Sequence, residues 1–157
     1  MIALPPDPPP IIGRASVIDG DTLEVHGQRI RIWGIDAPEG RQTCTRGGQT
    51  YRCGAEAANQ LAVFIDAQPV TCAPKGRPDR YGRIVARCEV TAPCEPTDDC
   101  VSFRRDLGGW MVGSGWALDF PRYSDGEHAE QQFDAREGQK GLWAGEFQMP
   151  WDWRAAR

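Results

Sequence analysis

Polar and apolar residues alternate near the start of the chain, where Leu23, Val25, Ile30 and Ile32 fall at every second place of TLEV and RIRIW. That is the period of a half-buried strand. The segments IIGRASVI, TLEVHG and QRIRIWGI therefore predict three short strands over residues 11–35, with turns at Asp19-Gly20 and Gly27-Gln28. The pattern then changes. Residues 54–66, GAEAANQLAVFID, are rich in alanine, lack proline, and predict a helix starting near Cys53. PVTCA at 69–73 and RIVARCEV at 83–90 are β-rich again, separated by the turn-forming PKGRPD. A helix is predicted over 106–118, where Leu107, Trp110, Met111 and Trp116 keep helical spacing despite four glycines. A capped polar helix is predicted from Glu127 to Gln139, turning Ala129, Phe133 and also Ala135 to the core and ending at Gly141.

Five strands and three helices predict a mainly β, α+β chain: a five-stranded OB-fold β-barrel with about three packed helices. Such a barrel offers a groove for single-stranded nucleic acid, although the fold alone specifies no chemistry. With 157 residues, one domain is expected over residues 11–145. Residues 1–10 carry five prolines and read as an extended, disordered arm. Residues 146–157 belong to a tryptophan-rich tail expected to pack across the barrel as a clasp, rather than to stack on bases. No apolar run approaches the ~20 residues of a membrane span. MIALPPDPPP has neither the basic nor the continuous apolar region of a signal peptide, so the leader of an exported protein would lie outside it.

Composition adds a compartment and a charge asymmetry. Six cysteines, Cys44, Cys53, Cys72, Cys88, Cys94 and Cys100, fall into three local pairs in sequence order, although six cysteines permit fifteen connectivities. Buried free thiols are the alternative. A zinc site is disfavoured, because no C-x2-C spacing occurs and only His26 and His128 are at hand. Paired cysteines imply an oxidising, secreted or periplasmic location. The formal net charge is −4, yet residues 1–90 carry +1 and residues 91–157 carry −5. Sixteen of the eighteen basic residues are arginine, which grips phosphate in a bidentate way that lysine cannot.

Three runs carry the candidate chemistry: Asp19-Gly20-Asp21-Thr22, Arg31 to Glu39 (RIWGIDAPE), and Asp79-Arg80-Tyr81-Gly82-Arg83. Each has a bland reading. Asp-Gly-Asp is a common turn, and Arg83 alone is most simply a surface ion pair. An EF-hand is excluded, since Glu24 and Ile30 stand where that loop needs glycine and glutamate. Taken together, the runs offer clustered hard oxygens and fixed guanidinium donors, the requirements of cation-assisted phosphodiester cleavage. Asp21 and Asp36, with backbone carbonyls and water, suit Ca2+. Glu39 is left to orient or deprotonate water. Arg31 and Arg83 would meet the phosphate, and Arg80 and Tyr81 a neighbouring phosphate or base.

From about Ile12 to Trp143 the chain resembles the staphylococcal-type thermonucleases, with IDGDT, RIWGIDAPE and DRYGR in that family's order. The resemblance implies a five-stranded OB-fold barrel with three helices and Ca2+-dependent cleavage of DNA and RNA at the P–O5′ bond, leaving 3′-phosphate ends. It implies that Asp21, Asp36 and the Ala37 carbonyl are calcium ligands, Glu39 the general base, and Arg31 and Arg83 the phosphate-binding pair. The family pattern has threonine where this chain has Ala37, so a hydroxyl near the metal is lost. TAPCEPTDDC and the acidic second half are further departures. A hydrolase acting as a monomer on single strands is thus expected. The alternatives are a weak or inactive binding or scaffold module, and a periplasmic accessory factor in envelope or polysaccharide assembly.

Overall fold

The computed structural model describes residues 3, 6–93 and 102–157. The expected Cys94–Cys100 pair lies outside them. The described chain is mixed α+β, built on a seven-stranded sheet. Its strands are β1 (Ile11–Gly13), β2 (Ala15–Asp19), β3 (Thr22–Val25), β4 (Gln28–Ile32), β8 (Val70–Pro74), β9 (Ile84–Pro93) and β10 (Ser102–Asp106). Two small ladders complete the β structure: β5 (Ile35–Asp36) with β11 (Leu118–Asp119), and β6 (Cys44–Arg46) with β7 (Gln49–Tyr51). The helices are α1 (Cys53–Ile65), α2 (Leu107–Gly113), α3 (Pro121–Ser124), α4 (Ala129–Glu137) and α5 (Pro150–Ala155), with a 3-10 turn at Gly141–Ala144.

The five expected strands and three helices are thus too few, and the sheet is not closed into a barrel by hydrogen bonds among the described strands. The order runs β1-β8-β9-β4-β3-β2, with β10 also on β9. The single strand expected over 11–18 is two. β1 pairs with β8 while β2 pairs with β3, so one covalent segment supplies both edges of the path. The break falls at Arg14, next to Gly13. A Cβ on Gly13 would sit 2.4 Å from the His26 ring, whose Nε2 lies 2.7 Å from the Ile12 carbonyl.

The β3–β4 hairpin turns on His26 and Gly27, one residue earlier than expected, both with positive φ (52° and 76°). This is the two-residue turn whose twist matches antiparallel strands. Leu23, Val25, Ile30 and Ile32 are all buried, as the alternation required. The helix expected over 106–118 stops at Gly113, and Leu118 is instead in β11. In α4 the expectation fails on two residues. Phe133 is 62% exposed and Ala129 is exposed, while Ala135 is buried. The helix also lacks a side-chain cap and runs Ala129–Glu137 rather than Glu127–Gln139.

Among the described residues there are two disulfides. Cys44–Cys53 ties β6 to the start of α1, and Cys72–Cys88 joins residues directly opposed on β8 and β9. Both are of the local type that the spacing predicted. Each closes a short loop, worth about 2 to 3 kcal/mol in the chain-entropy account.

Candidate active site

The first two acidic runs meet because small residues let the backbones close. A Cβ on Gly20 would lie 2.8 Å from the Ala37 Cβ and 3.0 Å from that of Ala57 on α1. Gly54 is tighter still, since its Cβ would fall 1.7 Å from the Glu39 carbonyl oxygen. The turn bearing Asp21, the segment bearing Asp36 to Glu39, and the N-terminal end of α1 are therefore in direct contact. One hydrogen bond records the closure: the Ala37 amide donates to Asp21 Oδ2 at 2.9 Å. Asp21 Oδ1 accepts from the Thr22 hydroxyl, also at 2.9 Å.

Asp36 is fully buried at the end of β5, where β11 pins it through the Leu118–Asp36 pairing. That short strand is fastened in turn. Asp119 donates its amide to Gln132 and accepts from the Ser124 hydroxyl and the His128 amide. Arg31 approaches from β4, where its backbone is laddered to Thr22 on one side and Val85 on the other. Its guanidinium lies 2.9 Å from Asp21 and 3.5 Å from Asp36. The Asp21 contact is an ion pair without hydrogen-bond alignment, so the buried Arg31 Nη1 keeps unused donor capacity. A buried N–H with a spare proton next to acids is a feature that an incoming phosphate oxygen would satisfy.

Arg83 reaches the turn bearing Asp21 from just ahead of β9. Its Nε donates to Asp79 at 2.7 Å and its Nη1 to the Thr22 hydroxyl at 3.4 Å. Asp79 also accepts from the amides of Tyr81 and Arg83, so the turn is organised around that carboxylate. Burial alone would raise Asp79, but the bonds from Arg83 and Tyr81 outweigh it and hold the carboxyl below its usual range. The surface ion pair expected of Arg83 is thus present, and it aims the remaining nitrogen at the acid-bearing turn. Tyr81 is exposed, with the Arg80 and Arg83 guanidinium carbons 4.9 and 5.5 Å from its ring centre.

The residue missed in the sequence is Arg154, on α5. Its two terminal nitrogens grip both oxygens of Asp36, at 3.1 and 2.6 Å, and Nη1 also reaches Glu39 at 2.7 Å. Hydrogen bonding to Asp36 raises Arg154 above its ordinary range against the cost of burial. No local pattern announced this contact, which spans 118 positions.

Negative charge dominates the cluster. Burial pushes the Asp36 carboxyl up, with the Arg154 hydrogen bond opposing and Asp21 reinforcing. Burial also raises Asp19, followed by the charges of Asp21 and Glu39. Among the described residues no three His, Cys, Asp or Glu side chains converge closely enough to form a metal cage by themselves. Two carboxylates and a nearby backbone carbonyl are hard-oxygen donors of the kind a divalent cation accepts, with water to complete its shell. The residues present fit Ca2+, which completes irregular shells with carbonyls and water.

The model of the family described as staphylococcal nuclease homologue matches residues 29–145, a range that begins after Asp21. The chain is 40% identical over 139 residues to a succinoglycan biosynthesis protein, ExoI, of Rhizobium meliloti, covering 85% of this chain and 65% of that protein. It is 32% identical over 144 residues to an uncharacterized endonuclease of Escherichia coli, covering 88% of this chain and 80% of the relative. A probable endonuclease, lcl3, of Sclerotinia sclerotiorum is 28% identical over 152 residues, or 90% of this chain and 53% of its own length. Arg31, Asp36, Glu39 and Arg83 all lie inside the matched range, and the chain belongs to the staphylococcal nuclease homologue family.

Proposed function

We propose that the protein is a Ca2+-dependent, sugar-nonspecific endonuclease that hydrolyses DNA and RNA to 3′-phosphate ends. The observation that carries this reading is the convergence of Asp21, Asp36, Glu39, Arg31 and Arg83 around one turn. Asp21, Asp36 and the Ala37 carbonyl would hold the ion, which when bound supplies charge neutralisation at the phosphate. Glu39 takes the proton of an attacking water, and the P–O5′ bond breaks as O5′ collects a proton from solvent. Arg31, with its spare buried donor, and Arg83, aimed by Asp79, hold the equatorial oxygens as charge builds on them. Arg80 and the exposed Tyr81 extend the track along a single strand. The working unit is a monomer with an OB-like nuclease domain over 11–145, and the two disulfides support an oxidising, secreted or periplasmic setting.

A second reading has one observation in its favour, the 40% identity to a protein named for succinoglycan biosynthesis. On that reading the domain is a binding or accessory factor in envelope polysaccharide assembly. Hydrolysis of single-stranded DNA and RNA with Ca2+, Mg2+ or chelator separates the two. Ca2+-dependent cleavage that Glu39→Gln and Arg83→Ala each lower by orders of magnitude supports the nuclease. Folded, oxidised protein that cleaves nothing favours the second reading.

A further inference from the structure

Asp36 is a fully buried carboxylate, and such a group persists only while cations compensate it. Two guanidinium groups do so here, and they are anchored differently. Arg31 belongs to a central strand and also pairs with Asp21, so it has no route away. Arg154 belongs to a six-residue helix, and its side chain keeps 39% exposure. The helix is seated by buried Pro150 and by Met149 and Trp151 packed against the core, while Arg154 lies on its exposed side. Trp151 stacks on Phe120 at 5.5 Å, the buried Gln42 donates to the Gln148 carbonyl at 2.8 Å, and Thr45 and Glu146 exchange backbone bonds at 2.9 Å.

The grip of Arg154 falls on the atoms that the proposed chemistry requires. It takes both oxygens of Asp36 and one of Glu39, the ligand and the base. A divalent ion and a guanidinium compete for the same oxygens: Arg31 touches only Asp21 Oδ2 and Asp36 Oδ1, whereas Arg154 takes both oxygens of Asp36 and leaves the ion none. Resting on the calcium reading above, we propose that Arg154 is a built-in competitor of the metal: it neutralises Asp36 and Glu39 while the ion is absent, and Ca2+ loading expels it. α5 is then a latch that opens on metal binding and frees Glu39 for water. Three arginines serve the site in this arrangement, of which two stay and one leaves.

The test is calorimetric titration of Ca2+ into metal-stripped wild type, Arg154→Ala, Trp151→Ala and Asp36→Asn, with amide hydrogen exchange of residues 149–155 in parallel. Losing a charge-assisted bidentate competitor should tighten Ca2+ binding by about tenfold to a hundredfold in Arg154→Ala. Trp151→Ala should tighten it by a smaller factor, which keeps the test alive should Arg154→Ala not fold. In wild type, saturating Ca2+ should speed exchange in 149–155 while α1 is unchanged. Equal affinity in wild type and Arg154→Ala, weaker binding in Arg154→Ala, or slower exchange in 149–155 overturns the latch and leaves the calcium site standing. No binding by any of the folded proteins overturns the calcium site, and the latch with it. Binding that Asp36→Asn alone abolishes ties the site to the carboxylate that Arg154 holds.

Discussion

Arg31 and Arg154 present the same chemical group to the same buried acid, yet one is part of the frame and the other is a visitor. Arg31 is carried by β4, with a ladder on each side, and its side chain is only 15% exposed. Arg154 arrives on α5, a six-residue helix whose lead-in packs Phe147, Met149 and Trp151 on the core and is tied by a side-chain amide and one bridge, while the Arg154 side chain stays 39% exposed. Local stability follows the density of buried contacts, so these two regions should open at very different free energies. The family-matched core thus fixes one arginine against Asp36, and a segment beyond the matched range supplies a second.

The most damaging change should strike the frame. Gly54→Ala places a Cβ against the Glu39 carbonyl, so it should cost roughly 3 kcal/mol or prevent folding, read by urea unfolding. Next come the disulfides. Replacing Cys44 and Cys53, or Cys72 and Cys88, by alanine should each cost about 2 to 3 kcal/mol. Only the first pair sits beside Thr45, which bonds to Glu146, so only its loss should speed amide exchange in residues 146–155.

Arg83 is an intermediate case, on a strand-edge turn and steered by one carboxylate. Asp79→Asn should lower stability by up to about 1 kcal/mol near neutral pH. The sign with pH follows from the depressed carboxyl of Asp79. Its contribution is full above the unfolded carboxylate pKa and disappears as pH falls through the lower folded value, so the two proteins should converge in strong acid. The smallest effect belongs to Phe133→Ser, on an exposed face of α4. It should shift stability by no more than about 0.5 kcal/mol. A larger loss would show that Phe133 is covered in solution.

Much of the site was legible because its parts are local. Asp-Gly-Asp-Thr, RIWGIDAPE and DRYGR each place their polar groups on one turn or strand end, and the cross-strand neighbours Thr22 and Arg31 follow from a short hairpin. The errors have physical causes as well. Phe133 has helical spacing, but α4 meets its neighbours through the face of Ala135, and a nine-residue polar helix has no second face to bury. The split at Arg14 carries no turn signature and emerges only where β1 pairs with β8 while β2 pairs with β3.

From the sequence alone come the β3–β4 hairpin, the segments of α1, β8 and β9, two of the three expected local cysteine pairs, the three motifs and the family they resemble. All rest on interactions between residues close in the chain, where periodicity and turn chemistry are sufficient. The tertiary structure decided which small residues let the acidic runs touch, that one segment serves both edges of the sheet, and that Arg154 holds Asp36 and Glu39. Those contacts join positions far apart in the chain, and only the packing of the whole core selects the partners that meet.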